Sequence, residues 1–268
     1  MLEMLGYAFF QNALVAGVLA SIACGIIGTY VVVKRMVFIS GGIAHASFGG
    51  IGLGYYLGID PILGAIGFTL AAALGMGTVR LTARQRMDTL IGAVWAVGMA
   101  LGILFVYLTP GFAPDLFSYL FGNILLVPAS DLWLMGLLAA VTVGLVLLLY
   151  NELFAVTFDE EYATIMNLPV RSLYLLLLAL IALTVVLLIR VVGIILVIAL
   201  LTLPAAASAE LTARLRPMMG LAVLLGTAYT TTGIWLSYAL DVPSGATIIL
   251  VSAAGYAAAV GARLWKER

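Results

Sequence analysis

Stretches of about 20 mostly apolar residues recur along this chain, and each is long enough to cross a hydrocarbon layer of about 30 Å as a helix. Nine are read, at residues 8–33, 37–57, 62–79, 90–109, 132–150, 172–189, 191–209, 218–240 and 245–262. The composition agrees: 65% of the 268 residues are hydrophobic and only 9% are charged, against about 45–50% and about 25% in soluble domains. A water-soluble globular fold is excluded. The fold class expected is all-α, a polytopic integral membrane bundle of eight or nine transmembrane helices forming a single domain over residues 1–268.

The count rests on residues 172–209. As one straight helix these 38 residues would measure about 57 Å, far more than one crossing. Two passes or a re-entrant element are required, with an apex at Arg190, Val191, Val192 and Gly193. That apex is too apolar for a solvated loop and is expected to be covered by protein. Arg190 is read as a snorkelling or ion-paired residue of the apex, without a transport role.

Charge placement gives the orientation. With the N-terminus outside and the C-terminus inside, eleven of the twelve basic residues fall in inner loops, namely Lys34, Arg35, Arg80, Arg84, Arg86, Arg171, Arg214, Arg216, Arg263, Lys266 and Arg268. Residues 1–7 carry no basic residue and the apolar run behind them is too long for a cleavable signal, so the first helix is expected to stay. The twelve basic and twelve acidic residues cancel, which leaves no field to hold a nucleic acid. One cysteine, Cys24, and one histidine, His45, cannot build a structural zinc cluster. No GxxxxGK[ST] loop is present, so the chain does not hydrolyse ATP by that route and any active transport draws on a partner or an ion gradient.

The segment 36–58, MVFISGGIAHASFGGIGLGYYLG, carries two ladders of small residues. Gly42, Ala46, Gly50 and Gly54 let a neighbouring helix approach closely. Around the helix from them lie Gly41, His45 and Gly49, so that the histidine has a glycine one turn above and one turn below, leaving room beside the imidazole. His45 lies roughly 14 Å from the inner end of its helix, near the midplane. An ionisable group at that depth is either a functional residue, imidazole being a good ligand for borderline metals, or a histidine bonded to a backbone carbonyl of a neighbouring helix. Gln11, Asn12, Glu210 and Thr230, Thr231 and Thr232 are read as interhelical hydrogen-bonding or helix-end residues.

A short inner helix is expected at about 159–167. Asp159 is suited to the N-cap, Glu160 and Glu161 to the first turn, and Asn167 before Leu168 and Pro169 to the end. Residues 151–171 carry a net charge of minus three, which suits a basic protein surface better than anionic lipid. Tyr162, Ile165 and Met166 supply apolar anchors; a solvated loop helix is the alternative. Residues 117–127, FSYLFGNILLV, are read as re-entrant, interfacial or a lid.

In order, these features resemble the permease subunits of the manganese, zinc or iron ABC importers. The match runs from about residue 33 to 257 through GGIAHASFGGIGLG, MDTLIG (87–92), DLFSYLFGNILLV (115–127), DEEYATIMNLPVR, VVGIILVIALLTLPAAA (191–207) and DVPSGATIIL (241–250). The resemblance implies a homodimeric pore in a prokaryotic cytoplasmic membrane and two cytoplasmic ABC ATPase subunits docked on Asp159, Glu160, Glu161, Tyr162, Ile165 and Met166. It also implies an extracytoplasmic metal-binding protein and His45 as a transient site for the transported ion. No cofactor is held covalently, and ATP is used by the partner. Many members carry an aspartate four residues before the matching histidine and a further histidine after the DTL motif. Here Gly41 stands at the first position, and Trp95 to Gly98 supply no histidine. Alternatives are a permease for metal chelates such as siderophores or cobalamin, an intramembrane hydrolase pairing a serine with His45, and a secondary transporter. Ser40 and Ser47 do not share the helix face of His45, and no coupling carboxylates lie near midplane.

Overall fold

The computed structural model describes residues 6–82, 87–110, 119–120 and 122–266. Among them the ordered segments are helical: α1 (Ala8–Val33), α2 (Val37–Leu57), α3 (Pro61–Thr82), α4 (Met87–Leu108), α5 (Ala129–Leu148), α6 (Tyr150–Phe158), α7 (Glu160–Ile165), α8 (Val170–Leu211), α9 (Leu215–Leu240) and α10 (Ser244–Lys266), with one 3₁₀ turn at Ile124–Leu126. Counting the two parts of α8 separately, nine described helices are long and apolar enough to cross a membrane. Their bounds differ from the apolar runs read above by a few residues, because helices continue past the hydrocarbon boundary into polar ends such as Arg80 and Lys266.

The element α8 has 42 residues and is interrupted at Gly193, whose φ of 74° and ψ of 162° are not helical. The break falls within the apex expected from length alone. It divides the element into Val170–Ile189 and Val192–Leu211, each of membrane length. The Arg190 side chain lies outside the described residues, as do Arg84, Arg86, Asp115, Phe117, Phe121 and Arg268.

The chain forms two compact units. One comprises residues 1–33, 117–143 and 187–268. In it α1 packs through small residues: Gly17 lies against Thr230 and Gly25 against Val223, both on α9, and Gly28 against the carbonyl of Leu201 on α8. Ser21 and Thr230 are within 3.5 Å, Asn12 donates to the carbonyl of Val127 at 3.2 Å, and Arg263 pairs with Glu210 at 2.9 Å. Thr230 and Glu210 thus make interhelical contacts, as their types suggested, while Asn12 bonds a non-helical residue, Val127. Gly122, with φ of 60°, rests directly on the backbone of Val192 and Gly193. The buried apex is therefore covered by a segment that has no side chain at the point of contact.

The other unit comprises residues 34–116 and 144–186. At its centre is α2, 78% buried over its apolar window, against 22% for α4 and 28% for α3. Glycines produce this enclosure. Gly42 meets Ile91, Ala46 meets Gly98, and Gly52 meets Gly102, all on α4; Gly50 meets Gly64 and Ala65, and Gly54 meets Pro61, on α3. The ladder Gly42, Ala46, Gly50, Gly54 was expected to receive one helix and receives two. At about 3.6 residues per turn a step of four advances about 40° around the axis, so over three steps the ladder turns about 120°, from α4 to α3. Gly77 of α3 packs in turn on Tyr174, Leu175 and Leu178 of α8. Backbone proximity of this kind holds helices together where lipid removes the hydrophobic drive for association.

Candidate functional site

His45 lies in the middle of α2, and its ring is stacked on the indole of Trp95 from α4, with centroids 3.8 Å apart and planes 12° from parallel. The room expected between Gly41 and Gly49 is filled: Gly41 faces the Trp95 ring, and Gly49 faces Phe68 and the carbonyl of Gly98. The glycines therefore bring α4 close enough for indole and imidazole to meet. The residue is half-buried, and its Nδ1 is buried with no hydrogen-bond partner among the described residues. A backbone carbonyl does not hold that nitrogen. One face of the ring is covered by the indole.

Among the described residues no group of three His, Cys, Asp or Glu side chains is placed to hold a metal ion. Among the described residues His45 thus belongs to no three-ligand group, and a tetrahedral site of the usual kind is not formed there. Ser40 donates to the carbonyl of Val37 at 2.8 Å and Ser47 to that of Ala44. Both hydroxyls are engaged with their own helix, so neither forms the serine–histidine pair that a hydrolase requires. An apolar cleft of about 320 Å³ between α3 and α4, lined by Phe68, Ala71, Ala72, Ala93, Val94 and Val97, offers no donor to an ion.

A second cluster of polar and charged residues surrounds the short helix α7. Asp159 is its N-cap, accepting from the backbone N–H of Tyr162 at 2.8 Å. Asn167, with φ of 56°, ends the turn in the left-handed region that asparagine tolerates. The helix is shorter than the 159–167 expected, because Asp159 is its N-cap, Met166 its C-cap, and Asn167 lies one residue beyond. Only Ala163 of α7 is buried. Tyr162, Ile165 and Met166 are 54%, 76% and 56% exposed, and Glu161 is exposed beside them. Glu160 differs. Its Oε1 lies 2.8 Å from Lys34 Nζ and 3.9 Å from a nitrogen of Arg80. Lys34, only 6% exposed, also donates to the carbonyl of Val156 at 2.6 Å. The guanidinium of Arg80 sits 4.5 Å from the centroid of the Tyr174 ring.

Two features were not readable from sequence. Trp95 carried no signal beyond not being histidine, although its place on a glycine-bearing helix opposite His45 is what gives the imidazole its stack. Lys34 and Glu160 are 126 residues apart, and only the basic character of the loop pointed toward a carboxylate partner.

Membrane-length helices packed through glycines, one mid-helix imidazole with a free nitrogen and an exposed acidic short helix define a multi-pass transport subunit. Residues 6–262 match the ABC 3 transport family, and the chain belongs to that family. It is 51% identical over 256 residues to an uncharacterised membrane protein of Synechocystis sp., covering 96% of this chain and 91% of the relative. It is 36% identical over 246 residues to the manganese transport system membrane protein MntC of Listeria monocytogenes, covering 92% and 88%. The solved structure of PsaBC from Streptococcus pneumoniae in complex with Fab superimposes with a TM-score of 0.87 at 30% identity, covering 96% of this chain and 94% of that one. The protein is a multi-pass component of the prokaryotic cytoplasmic membrane.

Proposed function

We propose that the chain is the membrane-spanning permease subunit of an ATP-driven importer of divalent transition-metal ions, with manganese the first candidate and zinc and iron the others. The observation that carries this reading is the unbroken family match from residue 6 to 262 together with 30% identity or more to relatives along more than nine-tenths of the chain. The name of the Listeria relative supports manganese. In this reading the chain does no covalent chemistry. Two cytoplasmic ATPase subunits bind the exposed face formed by Glu161, Tyr162, Ile165 and Met166, a second copy of the chain completes the pore, and an extracytoplasmic protein delivers the ion. The N-terminus is outside and the C-terminus inside, as the basic inner loops favour. ATP binding moves α7, the glycine-packed helices shift, and the pathway beside His45 changes the side to which it opens. His45 binds the ion in passing. A lone imidazole with no carboxylate at position 41 holds a divalent ion weakly and releases it readily, as an importer requires.

Reconstitution tests this. The chain co-purified with its ATPase and placed in vesicles with the delivery protein is expected to take up Mn²⁺ only when ATP is present, with Zn²⁺ and Fe²⁺ as comparisons. Uptake by the chain alone, without nucleotide, overturns the assignment.

A further inference from the structure

The ion cluster at Glu160 has a geometry that docking to a partner does not require. Its carboxylate shares one oxygen between Lys34 and Arg80. Lys34 is enclosed, and its second hydrogen bond goes to Val156, one of the last carbonyls of α6. That carbonyl has no partner within its own helix, and the negative end of the α6 dipole favours a cation there. The ammonium thus fills the junction where α6 ends and α7 begins, held by a carbonyl from one and a carboxylate from the other. Arg80 belongs to the last turn of α3 and stands over Tyr174 of α8. Lys34 lies in the short link between Val33 and Val37, three residues before the start of α2, the helix of His45, and α3 is locked to α2 through Gly50 and Gly64.

We infer that Glu160 is an internal anchor, a positioning residue that ties α7 to α2 and α3 so that a push on α7 reaches the helix of His45 without slack. Within the chain its partners are Lys34 and Arg80. Charge-assisted bonds of this kind are stronger than neutral ones, and a buried ammonium that loses its carboxylate is left poorly compensated. The contact does not depend on the proposed function; its use in transmitting force does.

The test is a nitroxide attached at Ile165→Cys in the full chain in lipid nanodiscs. The native Cys24 is buried and stays unlabelled. In the parent chain the spectrum is expected to be ordered. Glu160→Gln and Lys34→Met are each expected to introduce a mobile component, and the double variant to add no more than either alone, as for two members of one interaction. In the complex with its ATPase, Glu160→Gln is expected to lower the ratio of metal-stimulated to basal ATP turnover at least about fivefold, the lower end of typical coupling between sites. An unchanged spectrum in both single variants overturns the anchor. A mobile helix with an unaltered ratio overturns its role in transmission. Failure of the chain to assemble with any ATPase overturns the importer reading instead, while the nitroxide spectra still decide the anchor.

Discussion

Replacing His45 by alanine is expected to reduce ATP-dependent metal uptake by the reconstituted complex at least about tenfold, the equivalent of about 1.4 kcal/mol at the limiting state. The chain should still fold. The side chain makes no hydrogen bond through Nδ1, and its main contact is the Trp95 stack, worth about 0.5–1.5 kcal/mol beyond the area it buries. Uptake of a radioactive divalent ion, measured beside the thermal midpoint of the purified complex, separates the two effects. Trp95→Phe preserves a ring against the imidazole and should retain more uptake than Trp95→Ala, which frees His45 to rotate. Uptake at the parental rate in His45→Ala removes His45 from the pathway.

The second large effect is on stability. Gly52 and Gly75 both lie inside membrane helices, yet a Cβ at Gly52 would stand 2.8 Å from the Cα of Gly102, whereas one at Gly75 would meet nothing within 4 Å. Gly52→Ala is expected to destabilise the protein by about 1–3 kcal/mol, the usual range for overpacking, since the obstacle is backbone and cannot rotate away. Gly75→Ala should be neutral or stabilising by up to about 1 kcal/mol through helix propensity. Denaturation midpoints in one detergent, together with the monodisperse yield, report the contrast. Equal midpoints for the two variants contradict the close crossing of α2 and α4.

Much of this architecture is written in local pattern. Apolar length alone delimits the spans, and the excess length of 172–209 with Gly193 near its centre marks the break in α8. Asp159 announces its cap because a short acceptor before two glutamates has few other uses. The site is less legible. The spacing of Gly41, His45 and Gly49 states which face of α2 they share, but no periodicity within a helix says which neighbour arrives at that face. Trp95 and the turn of the ladder from α4 to α3 follow from that arrival, as does the contact of Gly122 with Val192 and Gly193. Glu160 shows the same limit. Its charge and position suit an exposed docking helix, and only the fold reveals that the counter-charge is internal.

The enclosure of Lys34 has a practical corollary. The chain contains two lysines, and the ammonium of this one is shielded and bonded, while Lys266 is exposed at the end of the last helix. Acylating reagents applied under native conditions will therefore modify Lys266 and spare Lys34, so that the lysine adducts carry fluorophores or cross-linkers at the C-terminal end.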